Sequence, residues 1–461
     1  YYGDNVYSWG SGSFDPYLVM KNVAQMEAEA TKRGAADVNP YRAIGRFIKA
    51  YYYYNLTSLF GDVPQEDALK PTETTAPAYT SQEKVFVYIL SQLDSANSDF
   101  ASLISSHDNS LSGAQDLYYS GNLVNWQKAV NTFKLRMLVS LSHQAGDAAL
   151  NVPTQFAAIL NNPTQYPIFS SQDDDLSFKY DPDGKGTYST YPFNPNSFGS
   201  IAARYNTAYT YVHALTSIND PRVFVTCEPA WGLVGSDIPN AAQFKYFVGA
   251  STGEDVAIMY NKAGAGEYSF INRKRYYSTS VGEPNVLVGY KEMCFNIAEG
   301  ITRGWASGNA ETWYKKGITE SMSYYGIDVT QPGFTAYFFV PGSTNPVTDP
   351  APYSINFDFA TYYAQPQVAL SATAATAVNQ IVTQKYLAMF QTSGWEAYYN
   401  WRRTGAPAFE NGVGVGNSGV VPKRWGYPTG EQTQNKDNWT AALSAQQFSG
   451  DDLNQIMWLV K

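Results

Sequence analysis

Between Asn39 and Phe60 the apolar residues Ile44, Phe47, Ile48, Tyr51, Tyr52, Leu56 and Leu59 recur at steps of mostly three or four. That spacing lines one face of an α-helix, with Pro40 suited to its first turn and Gly61 to its stop. The same period runs from Gln82 to Ile104 through Phe86, Ile89, Leu90, Leu93, Phe100 and Leu103, and then through Trp126, Val130, Phe133, Met137 and Leu141. It returns at Leu287, Tyr290, Cys294, Ile297, Ala298, Ile301 and Trp305, and again at Trp313, Tyr314, Ile318, Met322 and Tyr325, with Gly308 between the two runs. This reads as helix, short turn, helix. A further pair is predicted at Val378 to Phe390 and Trp395 to Trp401. Thr404-Gly405-Ala406-Pro407 closes it, since Gly permits a left-handed cap and Pro forbids continuation.

Paired helices with bulky aromatics at their turns suggest a solenoid-like scaffold, in which each unit buries its apolar face only against its neighbours. No strict period of roughly 34 residues is visible, and the pairs fall into two groups separated by Gly146 to Pro284. That insert is rich in Pro, Gly, Asn, Asp and Tyr; it predicts one helix around Asn206 to Ile218 and otherwise loops with short strands. A structureless segment of that length must pack on the helices, and such loops carry function. The expected organisation is one mainly α domain over 1–461. Its helical scaffold lies mainly in 20–144, 285–325 and 372–405, with a loop-rich insert at about 145–284 and a second irregular stretch at about 326–369.

Composition narrows the function. Charged residues are 15% of the chain, below a typical ~25%, while aromatics also reach 15%, with 37 Tyr. Lys+Arg 31 against Asp+Glu 40 gives a net charge of −9, which disfavours nucleic acid and anionic membrane surfaces as partners. Only Cys227 and Cys294 occur, without a C-x-x-C, so zinc ribbons, disulfide scaffolds and thioredoxin-type chemistry are excluded. No apolar run is long enough to span a bilayer as a helix. The chain begins at Tyr1 with no Met and no signal-type apolar region, which reads as a mature or trimmed form.

Catalytic signatures fail in turn. There is no H-E-x-x-H and no G-x-S-x-G, and His107, His143 and His213 are far apart in sequence. Gly184-Lys185 is followed by Gly186 where a P-loop needs Ser or Thr. Gly412, Gly414 and Gly416 lack dinucleotide-binding spacing and are expected to form a mobile loop. Asp181-Pro182-Asp183-Gly184 does not fit an EF-hand and reads as a turn. With Asp173, Asp174 and Asp175 it leaves a structural calcium ion open beside the simpler reading of a solvated acidic loop. No other cofactor or metal is expected.

What remains is an excess of aromatic residues in loops: Trp9, Phe14, Tyr79, Tyr191, Phe193, Trp231, Tyr246, Tyr276 and Tyr277. Flat rings stack on the C–H face of a pyranose while nearby Asn, Asp or Arg bond its hydroxyls. As single residues they read as rings packing loops onto helices; as a set they favour a binding surface.

Four stretches of the chain also match a known pattern. The first is Tyr41-Arg42-Ala43-Ile44-Gly45-Arg46-Phe47-Ile48 running on to Leu59-Phe60-Gly61-Asp62-Val63-Pro64. The second is Trp126 to Leu141 with Lys134-Leu135-Arg136, followed by Asn219-Asp220-Pro221-Arg222. The third is Ala298-Glu299-Gly300 to Trp305 with Tyr314-Lys315-Lys316-Gly317-Ile318. The last is Trp395 to Arg402-Arg403-Thr404-Gly405, then Arg424-Trp425-Gly426-Tyr427-Pro428 and Glu431, ending on Gly450-Asp451-Asp452-Leu453 and Trp458. In this order and spacing they span nearly the whole chain, which resembles the SusD/RagB family of outer-membrane nutrient-binding lipoproteins.

The resemblance implies a SusD-like fold: four TPR-like helical hairpins with an irregular, loop-rich half and a few short strands laid over them. It implies a non-catalytic, lipid-anchored protein of the outer membrane's cell surface, binding oligosaccharides for a SusC-like TonB-dependent transporter. The anchoring Cys would lie before Tyr1. Arg402, Arg403 and the Asp220-Pro221-Arg222 turn are expected to be ion-paired braces. The ligand is expected where Gln65 to Tyr79, Tyr188 to Arg204, Trp231 and Arg273 to Tyr277 converge on one face. There Trp9, Tyr79, Trp231, Tyr276 and Tyr277 would stack on sugars while Asp67, Arg204 and Arg273 bond hydroxyls. The net charge favours neutral glycans, unless a local patch is basic. Peptide capture by the same fold and, from another class, glycoside hydrolysis are the alternatives.

Overall fold

The computed structural model describes residues 9–461 except 71–72, 112, 114–115, 182–189, 202–205 and 393. The protein is mainly α-helical. Four helical hairpins form its scaffold: α1 (Pro16–Lys32) with α2 (Pro40–Phe60), α3 (Gln82–Ser105) with α4 (Leu123–Ser140), and then two pairs beyond the insert. In the insert lie α5 (Val152–Asn161), α6 (Tyr209–Thr216) and α7 (Val256–Gly264). The later hairpins are α8 (Tyr290–Thr302) with α9 (Ala310–Tyr324), and α10 (Ala374–Ala388) with α11 (Glu396–Thr404); α12 (Lys436–Ala445) follows. The insert is thus more helical than its composition suggests.

The helix bounds have local causes. At α2 the Asn39 side chain accepts from the Arg42 N–H at 2.9 Å and Pro40 fills the first position. Its end is Gly61 at φ 93°, a left-handed conformation that suits Gly. At α11, Gly405 at φ 76° takes the corresponding place. Strands occur as antiparallel pairs. β1 (Val63–Pro64) pairs with β2 (Tyr79–Thr80) and closes the 65–78 loop. β3 (Leu176–Phe178) pairs with β4 (Asn285–Val288), tying the insert to the start of α8. β5 (Gly333–Phe338) and β6 (Ala351–Asn356) make a hairpin within the stretch expected to be irregular.

Two hydrophobic cores flank α8. Met293, Cys294 and Ile297 join the core of α2, α3 and α4, whereas Phe295 and Ala298 join that of α6, α9, α10 and the β5–β6 hairpin. A helix buried all round must satisfy its charges internally. Glu292 accepts from the Arg136 Nε of α4 at 2.8 Å, and Glu299 is forked by Arg403 of α11 and reached by Arg303 at 2.8 Å. Lys385 of α10 donates to Asn296 at 2.9 Å. Three hairpins are thereby cross-linked through α8.

The expected braces divide. Arg222 pairs with Asp220 at 2.6 Å, both fully buried, and Arg403 pairs with Glu299. Among the described residues Arg402 has no ion-pair partner: it donates to the carbonyls of Lys423 and Ser58 at 2.9 and 2.5 Å and lies over the rings of Tyr398 and Tyr399.

Candidate functional site

The site residues read from sequence fall into separate neighbourhoods. Trp9 donates its indole N–H to the Val415 carbonyl at 2.7 Å and meets Trp425 edge-on at 5.8 Å. Trp425 in turn meets Trp395 edge-on at 5.5 Å, and Trp395 meets Tyr398 at 5.9 Å. Of the ten tryptophans Trp395 alone is exposed, at 45%. Its position has a local cause: it precedes the first turn of α11, and Gly394 before it stands at φ 53°, so the ring leaves the helical register. Behind it Tyr398 stacks on Trp401, whose face carries the Lys423 ammonium at 3.9 Å. This row of rings is open to solvent at Trp395 and anchored in the core at Tyr398.

The backbone beneath is fixed from three sides. The Gly12 N–H donates to the Gly426 carbonyl at 2.9 Å, and the Trp425 N–H to that of Leu59 at 2.9 Å. The carbonyl that holds Trp9 belongs to a strap over 410–416. Glu410 of the strap accepts from the Ser251 hydroxyl at 3.0 Å and from the Thr252 N–H at 3.2 Å. At Gly414 a Cβ would lie 1.9 Å from the Glu254 carbonyl oxygen, so only Gly permits the approach. The expected mobile loop at Gly412, Gly414 and Gly416 is therefore corrected: two 3₁₀ turns, Val413–Val415 and Asn417–Gly419, pack on 253–254.

Tyr79 reaches the same segment from its other side. Its ring meets Tyr427 edge-on at 5.2 Å, and its hydroxyl donates to Glu431 at 2.7 Å. Burial, then the Glu431 carboxylate, pushes that phenol well above its usual range. Tyr79 and Asp67 line a groove of about 360 Å³ with Asp62, Glu66, Lys84 and Asn438. The Asp67 carboxylate lies 3.6 Å from the Lys70 ammonium, both half-exposed.

Trp231 opens the turn Trp231–Val234, half-buried against the second core, and its buried indole N–H has no partner among the described residues. Tyr276 and Tyr277 correct the expectation made of them. Both are fully buried with Ile271 in a small core that packs Phe193, Phe198 and Phe390, so neither offers a ring face to a sugar. Two adjacent tyrosines carry no period that would mark them as core. Arg204 lies outside the described residues.

Arg273 begins the short helix Arg273–Tyr277 and is half-buried. Its guanidinium lies over the rings of Phe270 and Phe339, at 5.1 and 5.5 Å from their centroids. Beneath it the fully buried Glu228 accepts from the backbone N–H of Arg273 at 2.8 Å and of Phe339 at 2.9 Å. Burial raises the Glu228 carboxyl above its ordinary value, against the opposing pull of Arg273. In the acidic loop, Asp174 pairs with Lys128 at 3.0 Å and Asp175 accepts from the Tyr290 N–H at 2.6 Å. Among the described residues no group of three His, Cys, Asp or Glu side chains is placed to hold a metal ion.

A family model described as starch-binding, associating with the outer membrane, matches residues 2–428. The chain belongs to this SusD-like family. Among solved structures, a SusD homologue of Bacteroides fragilis is 26% identical, with 98% of this chain and 90% of that one covered at a TM-score of 0.80. A second SusD homologue of Bacteroides fragilis is 30% identical, covering 99% and 91% at 0.79. A chitin-binding SusD homologue of Flavobacterium johnsoniae is 21% identical, covering 96% and 85% at 0.69, a likeness of fold. No curated protein matches. The SusD-like family is associated with the outer membrane and with nutrient binding. Among the described residues no helix is long and apolar enough to cross a membrane.

The sequence reading missed Trp395 and Trp425 as site residues, because both sit in stretches that match the family pattern and read as structural. A tryptophan directly after Gly394 and before the helical run is the signal that distinguishes Trp395 from its core neighbours.

Proposed function

We propose that this SusD-like protein is a cell-surface lipoprotein that captures oligosaccharides without catalysis and passes them to a SusC-like TonB-dependent transporter. The observation that carries the reading is the exposure of Trp395 in a row of rings whose orientations are already fixed. A pyranose stacking on a pre-set ring gains apolar contact at little cost in side-chain entropy. The starch-binding description of the family and the chitin-binding relative support a glycan as the ligand. The net charge of −9 favours a largely neutral chain of sugars at this platform.

Affinity electrophoresis on starch and on soluble chitin, run beside a peptide mixture, tests the reading. Retardation by a polysaccharide is expected, with about a tenfold loss of affinity in Trp395→Ala and an unchanged melting temperature. Retention of peptides with silence on every glycan would move the assignment to peptide capture. Release of reducing ends from a bound glycan would make the protein a hydrolase.

A further inference from the structure

We infer that Arg273 forms a specificity site for the carboxylate of a uronic-acid residue, an assignment that rests on the reading of this protein as a glycan-capturing one. Arg46, Arg136, Arg222, Arg303, Arg403 and Arg424 each reach a carboxylate within 4 Å. Arg273 reaches none among the described residues, and its guanidinium makes no hydrogen bond there. The acid beneath it, Glu228, spends its two oxygens on backbone N–H groups.

Two rings instead hold Arg273. Contact with Phe270 and Phe339 fixes the plane of the guanidinium, and Phe198 supports Phe339 edge-on at 5.0 Å. Such packing satisfies the flat faces of the group and leaves its in-plane N–H donors for a ligand. A carboxylate presents two oxygens in the spacing of that fork, a charge-assisted match that a neutral diol does not offer.

The surroundings fit a sugar bearing such a group. Tyr337 is exposed near the end of β5, two positions before Phe339 in the chain, and offers a ring face at the surface of the same segment. The local charge is positive on a chain that is negative overall. Among the described residues Lys274 donates only to the Val347 carbonyl at 3.0 Å, and of the three consecutive cations Arg275 alone has a carboxylate within 4 Å, Glu283 at 2.8 Å.

The test is isothermal titration of the whole chain with tetrasaccharides of galacturonate, mannuronate and glucuronate, each beside its carboxyl-reduced counterpart. At least one uronate is expected to bind about tenfold tighter than its reduced form. Arg273→Met, which keeps bulk over the two rings, should abolish that preference, and Arg273→Lys, which keeps charge but not the fork, should retain part of it. Melting temperatures of both variants report folding, and the Lys variant keeps the comparison usable if the Met variant is unstable. Equal binding of both forms, or a preference that survives Arg273→Met, overturns the assignment. Failure of every uronate to bind also overturns it: if starch or chitin is still retained the capture reading stands, and if neither is retained it falls as well.

Discussion

The scaffold around α8 and the loop half around Arg273 treat the same side chain in opposite ways. In the scaffold Arg403 is buried and forked by Glu299, and four of its five N–H donors are used inside the protein, on Glu299, Asn400 and Ser142. In the loop half Arg273 is held by rings, with no carboxylate within 4 Å among the described residues. Aromatic residues show the same division. Phe47, Tyr54, Phe86 and Phe133 face the first core, whereas Trp395 stands out on the row that begins there. A group whose partners lie within the chain stabilises it; one that is oriented but left unpartnered is available to something else.

The largest effect should come from breaking the scaffold's pairing. Glu299→Gln leaves Arg403 and Arg303 without their counter-charge and is expected to cost about 3 to 5 kcal/mol, read by urea denaturation. Burial alone would raise the Glu299 carboxyl, but Arg403 and then Arg303 outweigh it and hold it at about 2. A depressed carboxyl stabilises the fold above its unfolded value near 4.5, and that contribution is lost as pH falls from there toward 2. Wild-type stability should therefore drop by about 3 kcal/mol through this window from Glu299 alone, and the Gln variant should lack that part of the slope.

A smaller effect lies at the join between the two halves. Gly414→Val places a side chain against the Glu254 carbonyl and should cost about 1 to 3 kcal/mol. Because the next residue's carbonyl holds Trp9, glycan retention should fall together with the melting temperature, unlike the binding-only loss expected of Trp395→Ala. The smallest effect marks the exposed limit: Lys70→Ala, which removes the half-exposed Asp67 pair, should change stability by less than about 0.5 kcal/mol in a thermal melt.

The long helices were legible because each buries a broad apolar stripe. The run predicted at Gln82 to Ile104 is Gln82–Ser105, and Asn39 to Phe60 is Pro40–Phe60. Helices that bury little were not: α1 buries only Met20 and Val23, and α7 has no buried residue, so neither carries a strong period. At the candidate site the chemistry of Arg273 was readable as a donor, but its open fork was not, since that depends on where Glu228 spends its oxygens. Tyr276 and Tyr277 failed for a related reason: in a five-residue helix, composition cannot separate a ring turned inward from one turned out.

The segment Trp425-Gly426-Tyr427 closes the first hairpin with residues made hundreds of positions later. Tyr427 donates to the Asp62 carbonyl at 2.7 Å, Trp425 to that of Leu59, and Arg402 to that of Ser58. Tyr54 donates to Glu396 at 3.3 Å, and the Gln82 amide oxygen accepts from the Leu459 N–H at 2.9 Å. During synthesis at about 5 to 20 residues per second, the end of α2 waits on the order of tens of seconds for these partners. Until then its carbonyls and rings stay open to water and to other chains. The N-terminal core therefore cannot be completed until the segment around Trp425 to Leu459 has been made, however early its own helices form.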